Sequence, residues 1–279
     1  MDCPDQKGLV ARVAGLLYSQ GANILHADQH QDHALGLFFM RVEWALDEGD
    51  AGERMLAGFR GAFEPIAREL GMRWQLRRRN QRPRVALFCS QYLHCLADLL
   101  YRANAEELDC EIAVVVSNHR EAEKLAGFYG VRFEYLPVTA ATRVEGEARQ
   151  LALLDELGVE LVVLARYMQI LSDGFVGRFP NSIINVHHSF LPAFIGAKPY
   201  HAAHARGVKL IGATSHYVTA VLDDGPIIEQ DVARISHRDQ VEDLVARGRD
   251  LERVVLSRAV EWHLEHRILC YGNKTVVFD

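Results

Sequence analysis

The hydrophobic residues in the first quarter of the chain follow two periods. Between residues 8 and 20, apolar positions are spaced as on one face of a helix, and Gly21 ends this pattern. The elements that follow are two alternating strands, a second helix and a short strand, at residues 23–31, 35–46, 53–70 and 72–76. The predicted order of this part is therefore αββαβ.

One strand before Pro4 would complete βαββαβ, the ferredoxin-like arrangement in which two helices cover one face of an antiparallel sheet. The few residues ahead of Pro4 carry no recognisable strand pattern. We therefore expect the first strand to be missing. Either the chain starts late, through a misassigned start codon, or another segment or subunit covers that sheet position, because an uncovered sheet edge invites association.

A different pattern begins at Val85, where short continuous apolar runs alternate with helical stretches. The predicted strands lie at residues 85–88, 112–116, 133–136 and 161–164, with helices between them. Continuous apolar strands are typical of a mainly parallel sheet that is buried on both faces. Ligands of such α/β sheets bind beyond the carboxyl ends of the strands.

An arginine-rich stretch separates the two patterns. Residues 77–84 contain five arginines and Pro83, which favours a solvated hinge, with a phosphate or polyglutamate contact as the alternative. The predicted organisation is a first domain at residues 1–80, a linker at 81–84 and a second, α/β domain at 85–279.

Composition narrows the classes of function. The 279 residues carry 31 Lys plus Arg against 37 Asp plus Glu, a net charge of −6, so no basic field favours nucleic acid. Five cysteines without CxxC spacing favour free thiols in a reducing compartment. The sequence also has neither a leader-like start nor an apolar run of about 18 residues. We expect a cytoplasmic enzyme acting on a small molecule, with neither membrane nor nucleic-acid partners.

Amide, imidazole and carboxylate groups concentrate between residues 185 and 228. In the predicted strand 183–187, alternation places Asn185 and His187 on the same side, about 7 Å apart. Asp223 precedes a Gly-Pro turn, where an aspartate ordinarily acts as a turn former. His187 and His188 face opposite ways, and no HExxH motif accompanies them, so we predict no metal.

The loop after the first strand of the second domain argues against a nucleotide site. Residues 89–95 contain no glycine that would let backbone N–H groups surround a phosphate, so both GxGxxG and P-loop patterns are absent.

The polar segments resemble the folate-dependent formyltransferase superfamily, whose signature is Asn-x-His, then Ser-(Leu/Phe)-Leu-Pro, then a loop with Asp-x-Gly-Pro. Within it, residues 187–200, 207–214, 248–252 and 271–278 are similar to the formyltetrahydrofolate deformylases. This resemblance implies hydrolysis of 10-formyltetrahydrofolate to formate and tetrahydrofolate, with water as nucleophile and no cofactor. It also implies that Asn185, His187 and Asp223 are catalytic.

The resemblance also implies a folate-binding segment. Its pterin cradle corresponds to Tyr167, Met168, Gln169, Ile170 and Leu171, and Gln169 stands where family members commonly have Arg. The alternative for this segment is an ordinary helix packing face. His188, Ser189 and His216 are further candidates for lining the site, His188 alternatively packing behind it.

The first domain resembles an ACT domain, through residues 3–8 entering the helix and residues 21–24 after it. This implies an amino-acid effector, with glycine and methionine as candidates, and a homo-oligomer, either dimer or tetramer. A purely structural dimerisation module is the alternative. For the whole chain, the rival functions are formyl transfer to a small amine and folate binding without turnover.

Overall fold

The computed structural model describes residues 1–45, 52–79, 81–139, 142–192 and 199–278, the side chains of residues 52–55 and 199 excepted. Residues 193–198, part of the signature stretch, lie outside the described residues. Contact patterns divide the chain into two compact units. The first comprises Met1–Arg78, Arg267–Leu269 and Val276–Asp279, and the second comprises Arg79–His266 and Cys270–Thr275.

The first unit contains the two predicted helices and the two strands between them in the predicted order, preceded by one more strand. The short strand predicted at residues 72–76 is wrong, because only an isolated bridge at Arg73 forms there. The elements of this unit are β1 (Asp2–Pro4), α1 (Leu9–Ser19), β2 (Asn23–Asp32), β3 (Leu37–Ala45) and α2 (Gly52–Glu69). The strand order is β1-β3-β2, all antiparallel. In the core of this unit, Phe59 stacks on Phe63 and Trp74 packs edge-on against Phe63, in the same cluster as Val13 and Leu17 of α1.

The expectation that the first strand is missing is wrong. Asp2, Cys3 and Pro4 form β1 and pair with β3. On its other side, Asp2 forms an isolated antiparallel bridge with Arg73, which lies in the stretch predicted as a short strand. Three residues are too few to show an alternating pattern, and Pro4 disguises a strand end because it lacks the ladder donor. The ferredoxin-like arrangement is thereby complete in outline.

The second unit is built on a seven-stranded sheet. Its strands are β4 (Arg84–Cys89), β5 (Glu111–Ser117), β6 (Phe133–Tyr135), β7 (Leu161–Leu164), β8 (Ile183–His187), β9 (Leu210–Tyr217) and β10 (Ile227–Arg234). Their order in the sheet is β10-β9-β8-β7-β4-β5-β6. Strands β6, β5, β4, β7 and β8 are parallel to one another, and β9 pairs antiparallel with both β8 and β10. The first residue of β4 is Arg84, the last residue of the predicted linker.

Helices cover both faces of this sheet, as the continuous apolar strands predict. They are α3 (His94–Asn104), α4 (Glu123–Phe128), α5 (Arg143–Glu156), α6 (Asp173–Val176), α7 (Pro199–Arg206) and α8 (Val241–Leu264). A hairpin of β11 (Ile268–Tyr271) and β12 (Lys274–Val277) follows. Phe88, Val116, Val162 and Phe175 are completely or almost completely buried in the core between the sheet and its helices. Within the described part of the chain, no helix combines the length and the apolar character needed to cross a bilayer.

Candidate active site

The pairing of β8 with β9 brings the predicted polar residues together at the carboxyl end of the parallel strands. In this antiparallel register Asn185 lies directly opposite His216, and His187, the last residue of β8, lies opposite Thr214. Because side chains alternate along a strand, Asn185 and His187 share one face. On the other side of β8, Leu164 of β7 pairs with Asn185, so the loop leaving β7 begins beside the same site.

Asp223 reaches this face from the loop between β9 and β10. Its backbone is left-handed, with φ of 54°, which turns the loop back toward the strands. At Gly225 the chain passes so close to Tyr217 that a Cβ would lie 1.7 Å from the Tyr217 carbonyl oxygen. Only glycine fits there, which is the physical reason for the Asp-x-Gly-Pro pattern.

The carboxylate of Asp223 lies between two imidazoles. Its Oδ2 is 3.2 Å from His187 Nδ1 and its Oδ1 is 3.7 Å from His216 Nε2. The hydrogen bond from His187 holds the pKa of Asp223 well below its ordinary value despite partial burial. Asp223 is therefore ionised at neutral pH.

This pairing leaves one His187 nitrogen for chemistry. Since a carboxylate only accepts hydrogen bonds, His187 Nδ1 carries the proton, and Nε2 presents a lone pair in the neutral imidazole. Among the described residues, the buried Nε2 atom has no hydrogen-bond partner. It is therefore free to accept a proton from a bound water or to contact a substrate.

His216 orients Asn185. His216 Nδ1 lies 2.9 Å from the Tyr217 carbonyl oxygen, which only accepts, so Nδ1 carries the proton and Nε2 accepts. Asn185 Nδ2 lies 3.2 Å from that Nε2 atom and donates to it. One amide hydrogen of Asn185 is used in this way, and the second remains available to a substrate oxygen.

His188 and Ser189 follow directly after β8. The His188 ring packs edge-on against His187, with ring centroids 5.1 Å apart, and burial lowers the pKa of His188 to about 4. It is therefore neutral at pH 7. The Ser189 carbonyl accepts a hydrogen bond from Thr214 Oγ1 at 2.9 Å, which fixes the turn after β8.

The residues predicted to cradle the pterin form a loop after β7 rather than a helix. The name cradle loop is used below for residues Tyr167–Ser172. Tyr167 and Leu171 are buried, whereas Met168 and Ile170 are 53% and 59% exposed. The loop thus anchors Tyr167 and Leu171 in the core and leaves the apolar side chains between them exposed. The helix-face alternative is wrong, and Gln169 is half-buried between the two exposed residues.

A buried ionic cluster that was not assigned from the sequence adjoins this site. Glu252 of α8, 1% exposed, lies 2.7 Å from His94 Nε2, accepts from Tyr200 Oη at 2.7 Å, and lies 3.5 Å from Arg166 Nε. Arg166 immediately precedes the cradle loop with a left-handed φ of 64°. The Tyr200 ring in turn packs against His188. The name Glu252 cluster is used below for His94, Arg166, Tyr200 and Glu252.

His94, Cys95 and Glu252 also form the one group of metal-type ligands found among the described residues. The Glu252 carboxylate already accepts hydrogen bonds from His94 and Tyr200 and is ion-paired with Arg166. Burial also raises the pKa of the Cys95 thiol, so the thiolate that a metal needs is disfavoured. These residues therefore form a network of ion pairs and hydrogen bonds rather than a set of metal ligands. The five cysteines are free thiols.

Comparisons with known proteins support the sequence resemblance. The formyl transferase family model matches residues 83–260, and the ACT domain model matches residues 1–43. A formyltetrahydrofolate deformylase of Synechocystis sp. is 54% identical over 278 residues, which is 100% of this chain and 96% of that protein. The chain belongs to the formyltetrahydrofolate deformylase family. The Escherichia coli deformylase is 44% identical over 276 residues, 99% of this chain and 95% of that protein.

Solved structures agree with this membership. The crystal structure of a formyltetrahydrofolate deformylase from Pseudomonas syringae matches with a TM-score of 0.94 and 48% identity, over 100% of this chain and 92% of that chain. A glycinamide ribonucleotide transformylase from Symbiobacterium toebii matches with a TM-score of 0.68 and 30% identity, over 75% of this chain and 99% of that one. The predicted combination of an ACT domain with a formyltransferase-type α/β domain is confirmed. Deformylases match the chain along its whole length, whereas the transferase covers three quarters of it.

Proposed function

We propose that this protein hydrolyses 10-formyltetrahydrofolate to formate and tetrahydrofolate. The observation that carries the proposal is the convergence of Asn185, His187 and Asp223 on one face, at the strand ends of a chain that aligns along its whole length with deformylases. Hydrolysis of a formamide needs a donor for the developing oxyanion and a proton shuttle. These three side chains supply both.

The proposed reaction follows from the free atoms of the site. Water attacks the formyl carbon while its proton passes to His187 Nε2, and Asp223 stabilises the resulting imidazolium through Nδ1. The second amide hydrogen of Asn185 donates to the oxyanion. The C–N bond then breaks as the proton moves from His187 to the folate nitrogen, which releases tetrahydrofolate and formate.

The cradle loop offers a surface that fits the pterin of the proposed substrate. Met168 and Ile170 present an apolar surface on the loop that leaves β7 next to Asn185, which suits the flat face of a pterin. Gln169 lacks the charge that an arginine would bring, so we propose that the pterin is held by backbone groups and apolar contact. His188 and Ser189 act from behind the site rather than on the substrate.

Product analysis tests this function. Purified protein incubated with 10-formyltetrahydrofolate and no amine is expected to release formate and tetrahydrofolate in equal amounts. His187→Ala should keep the melting temperature of the fold and lose most formate release, because the proton shuttle is gone. Transfer to an added amine without formate release identifies the rival formyltransferase. Folate binding without either product identifies a non-catalytic regulator.

We further propose that the ACT domain binds an amino-acid effector, glycine or methionine. A cavity of about 480 Å³ lies beside the start of α1, between the β1–α1 loop and β2. Its lining includes Asp5, Gly8, Gln29 and Gln31, and Gly8 leaves the N-terminal N–H groups of α1 without a side-chain cap. Such N–H groups bind carboxylates, and Asp5 suits an ammonium group. Titration of the deformylase reaction with each amino acid separates the two candidates from a purely structural domain.

We also propose a cytoplasmic homo-oligomer, either dimer or tetramer. In the described part of the first unit, β2 is an edge strand of ten residues, most of them exposed, which is a surface suited to pairing with a second copy. The free cysteines are consistent with a reducing compartment. Light scattering coupled to size-exclusion chromatography measures the subunit number.

A further inference from the structure

One face of α5 is dedicated to the cradle loop. Arg143, Glu147 and Gln150 follow one another at intervals of four and three residues, which places them on the same side of the helix. We propose that these three side chains are positioning residues, which hold the cradle loop in the shape that binds folate. This inference rests on the proposed function, because it requires that the loop bind the substrate.

Each of the three side chains fixes a different part of the loop. Gln150 Nε2 donates to Tyr167 Oη at 3.0 Å, at the start of the loop, and the Tyr167 ring also packs edge-on against Phe88. Arg143 Nη2 donates to the Ile170 carbonyl at 2.8 Å, in the middle. Ser172 closes the loop by donating to Glu147 through both its backbone N–H, at 2.9 Å, and its hydroxyl.

The burial of Glu147 indicates that these contacts are more than surface hydrogen bonds. Its side chain is 11% exposed, and burial of a carboxylate is costly unless donors surround it. The donors are the two Ser172 groups and Arg143 Nε at 3.4 Å. The shielded carboxylate of Glu147 therefore binds the end of the loop at Ser172. Ser172 Oγ also caps α6, because it accepts a hydrogen bond from the Phe175 N–H at 3.2 Å.

The contacts determine where the exposed part of the loop lies. The loop has no strand partner of its own, so its position depends on contacts with side chains. Besides the contacts from α5, the Met168 N–H donates to Ser90 Oγ at 3.1 Å. Asn185, His187 and Asp223 lie on β8 and on the loop after β9, and none of them contacts α5 in the hydrogen bonds described. Loosening the loop should therefore weaken substrate binding and leave the chemical step largely intact.

The test compares Glu147→Gln with Arg149→Ala, a matched control on the exposed face of the same helix. Replacing the carboxylate removes the charge from two hydrogen bonds to Ser172 and turns a donor toward one of them. We expect KM for 10-formyltetrahydrofolate and Kd for tetrahydrofolate to rise about tenfold in Glu147→Gln. We expect kcat to stay within about twofold, and Arg149→Ala to match the wild type.

If Glu147 only stabilised the fold, its substitution would leave KM unchanged. It would instead reduce the amount of folded enzyme and so lower kcat per total protein. An unchanged KM and Kd, or a loss confined to kcat, overturns the inference. If Glu147→Gln does not fold, Arg143→Ala gives the same test, because Arg143 is 43% exposed and its removal frees only the Ile170 carbonyl and one side of Glu147. Failure of the wild type to bind tetrahydrofolate or to release formate overturns the proposed function instead.

Discussion

Asp223→Asn isolates the role of the Asp223–His187 pair. In the wild type, the carboxylate accepts from His187 Nδ1 at 3.2 Å and keeps the Nε2 lone pair facing the site. An amide at this position can donate to Nδ1, which favours the tautomer with its proton on Nε2 and removes the charge that stabilises the imidazolium. The side chain of Asp223 is 12% exposed and lies behind His187, so substrate binding should change little.

The expected loss of kcat follows from proton transfer, the step in which the Asp223–His187 pair takes part. A positioned acid–base group contributes about 10²–10⁴ to the rate, so Asp223→Asn should lower kcat by that factor, equivalent to about 3–5.5 kcal/mol in the barrier. KM should stay within a few-fold. Because Asp223 has a lowered pKa, it remains ionised from about pH 5 upward, and its titration adds no limb to the wild-type profile there.

The assay is continuous measurement of formate release across substrate concentrations, with Asp224→Asn as the control. Asp224 is exposed in the same loop, so its substitution should leave kcat and KM unchanged. Retention of more than about a tenth of wild-type kcat in Asp223→Asn would refute the proposed role of the pair. A large rise in KM at constant kcat would likewise show that Asp223 binds substrate rather than supporting proton transfer.

Two further predictions concern stability. Gly248→Ala places a Cβ 2.0 Å from Tyr200 Oη, so it should lower the free energy of unfolding, measured by urea titration, by about 1–3 kcal/mol. Gly127→Ala is the control, because this helix glycine has open space around it and its substitution should be neutral or stabilising. Equal effects of the two would contradict the tight packing at Gly248. Burial lowers the pKa of His188 from 6.5 to about 4 in the folded state. Between these pH values the imidazole is protonated in the unfolded chain but not in the folded one, so the stability of the fold decreases as the pH falls from 6.5 to 4. The wild type should lose about 3 kcal/mol more than His188→Gln between pH 7 and pH 4, and parallel pH curves for the two proteins would show that His188 is not buried in its neutral form.

Two of the three candidate catalytic residues could be placed together from the sequence because their relative positions depend on a short-range pattern. Strand alternation places Asn185 and His187 on one face, and the observed register with β9 adds His216 opposite Asn185. Asp223 could be assigned only through the family signature, because an aspartate in a turn has a local explanation of its own. Its left-handed backbone and the close approach at Gly225 show why that signature contains a glycine.

Other features depend on contacts between residues far apart in the chain. Strand β1 was missed because three residues leave no period to detect, and its strand identity comes from pairing with β3. The Glu252 cluster joins residues 94, 166, 200 and 252, and each of these alone resembles an ordinary polar residue. The one local signal was Arg166, a charge directly after a buried apolar strand.

The cradle loop shows the same limit. Tyr167, Ile170 and Leu171 have the spacing of a helix face, but the structure forms a loop whose shape depends on hydrogen bonds from α5. The partners Glu147 and Gln150 lie about 20 residues earlier, and nothing in their own helical pattern indicates which segment they contact.

In the proposed reaction, water that is activated beside His187 and Asp223 attacks the formyl carbon, so the oxygen of that water becomes part of formate. A single turnover of 10-formyltetrahydrofolate in ¹⁸O-labelled water without added amine, followed by mass analysis of the product, follows this oxygen. We expect one ¹⁸O atom in each formate molecule and an equal amount of tetrahydrofolate. Unlabelled formate, or consumption of substrate without formate, would rule out attack by water.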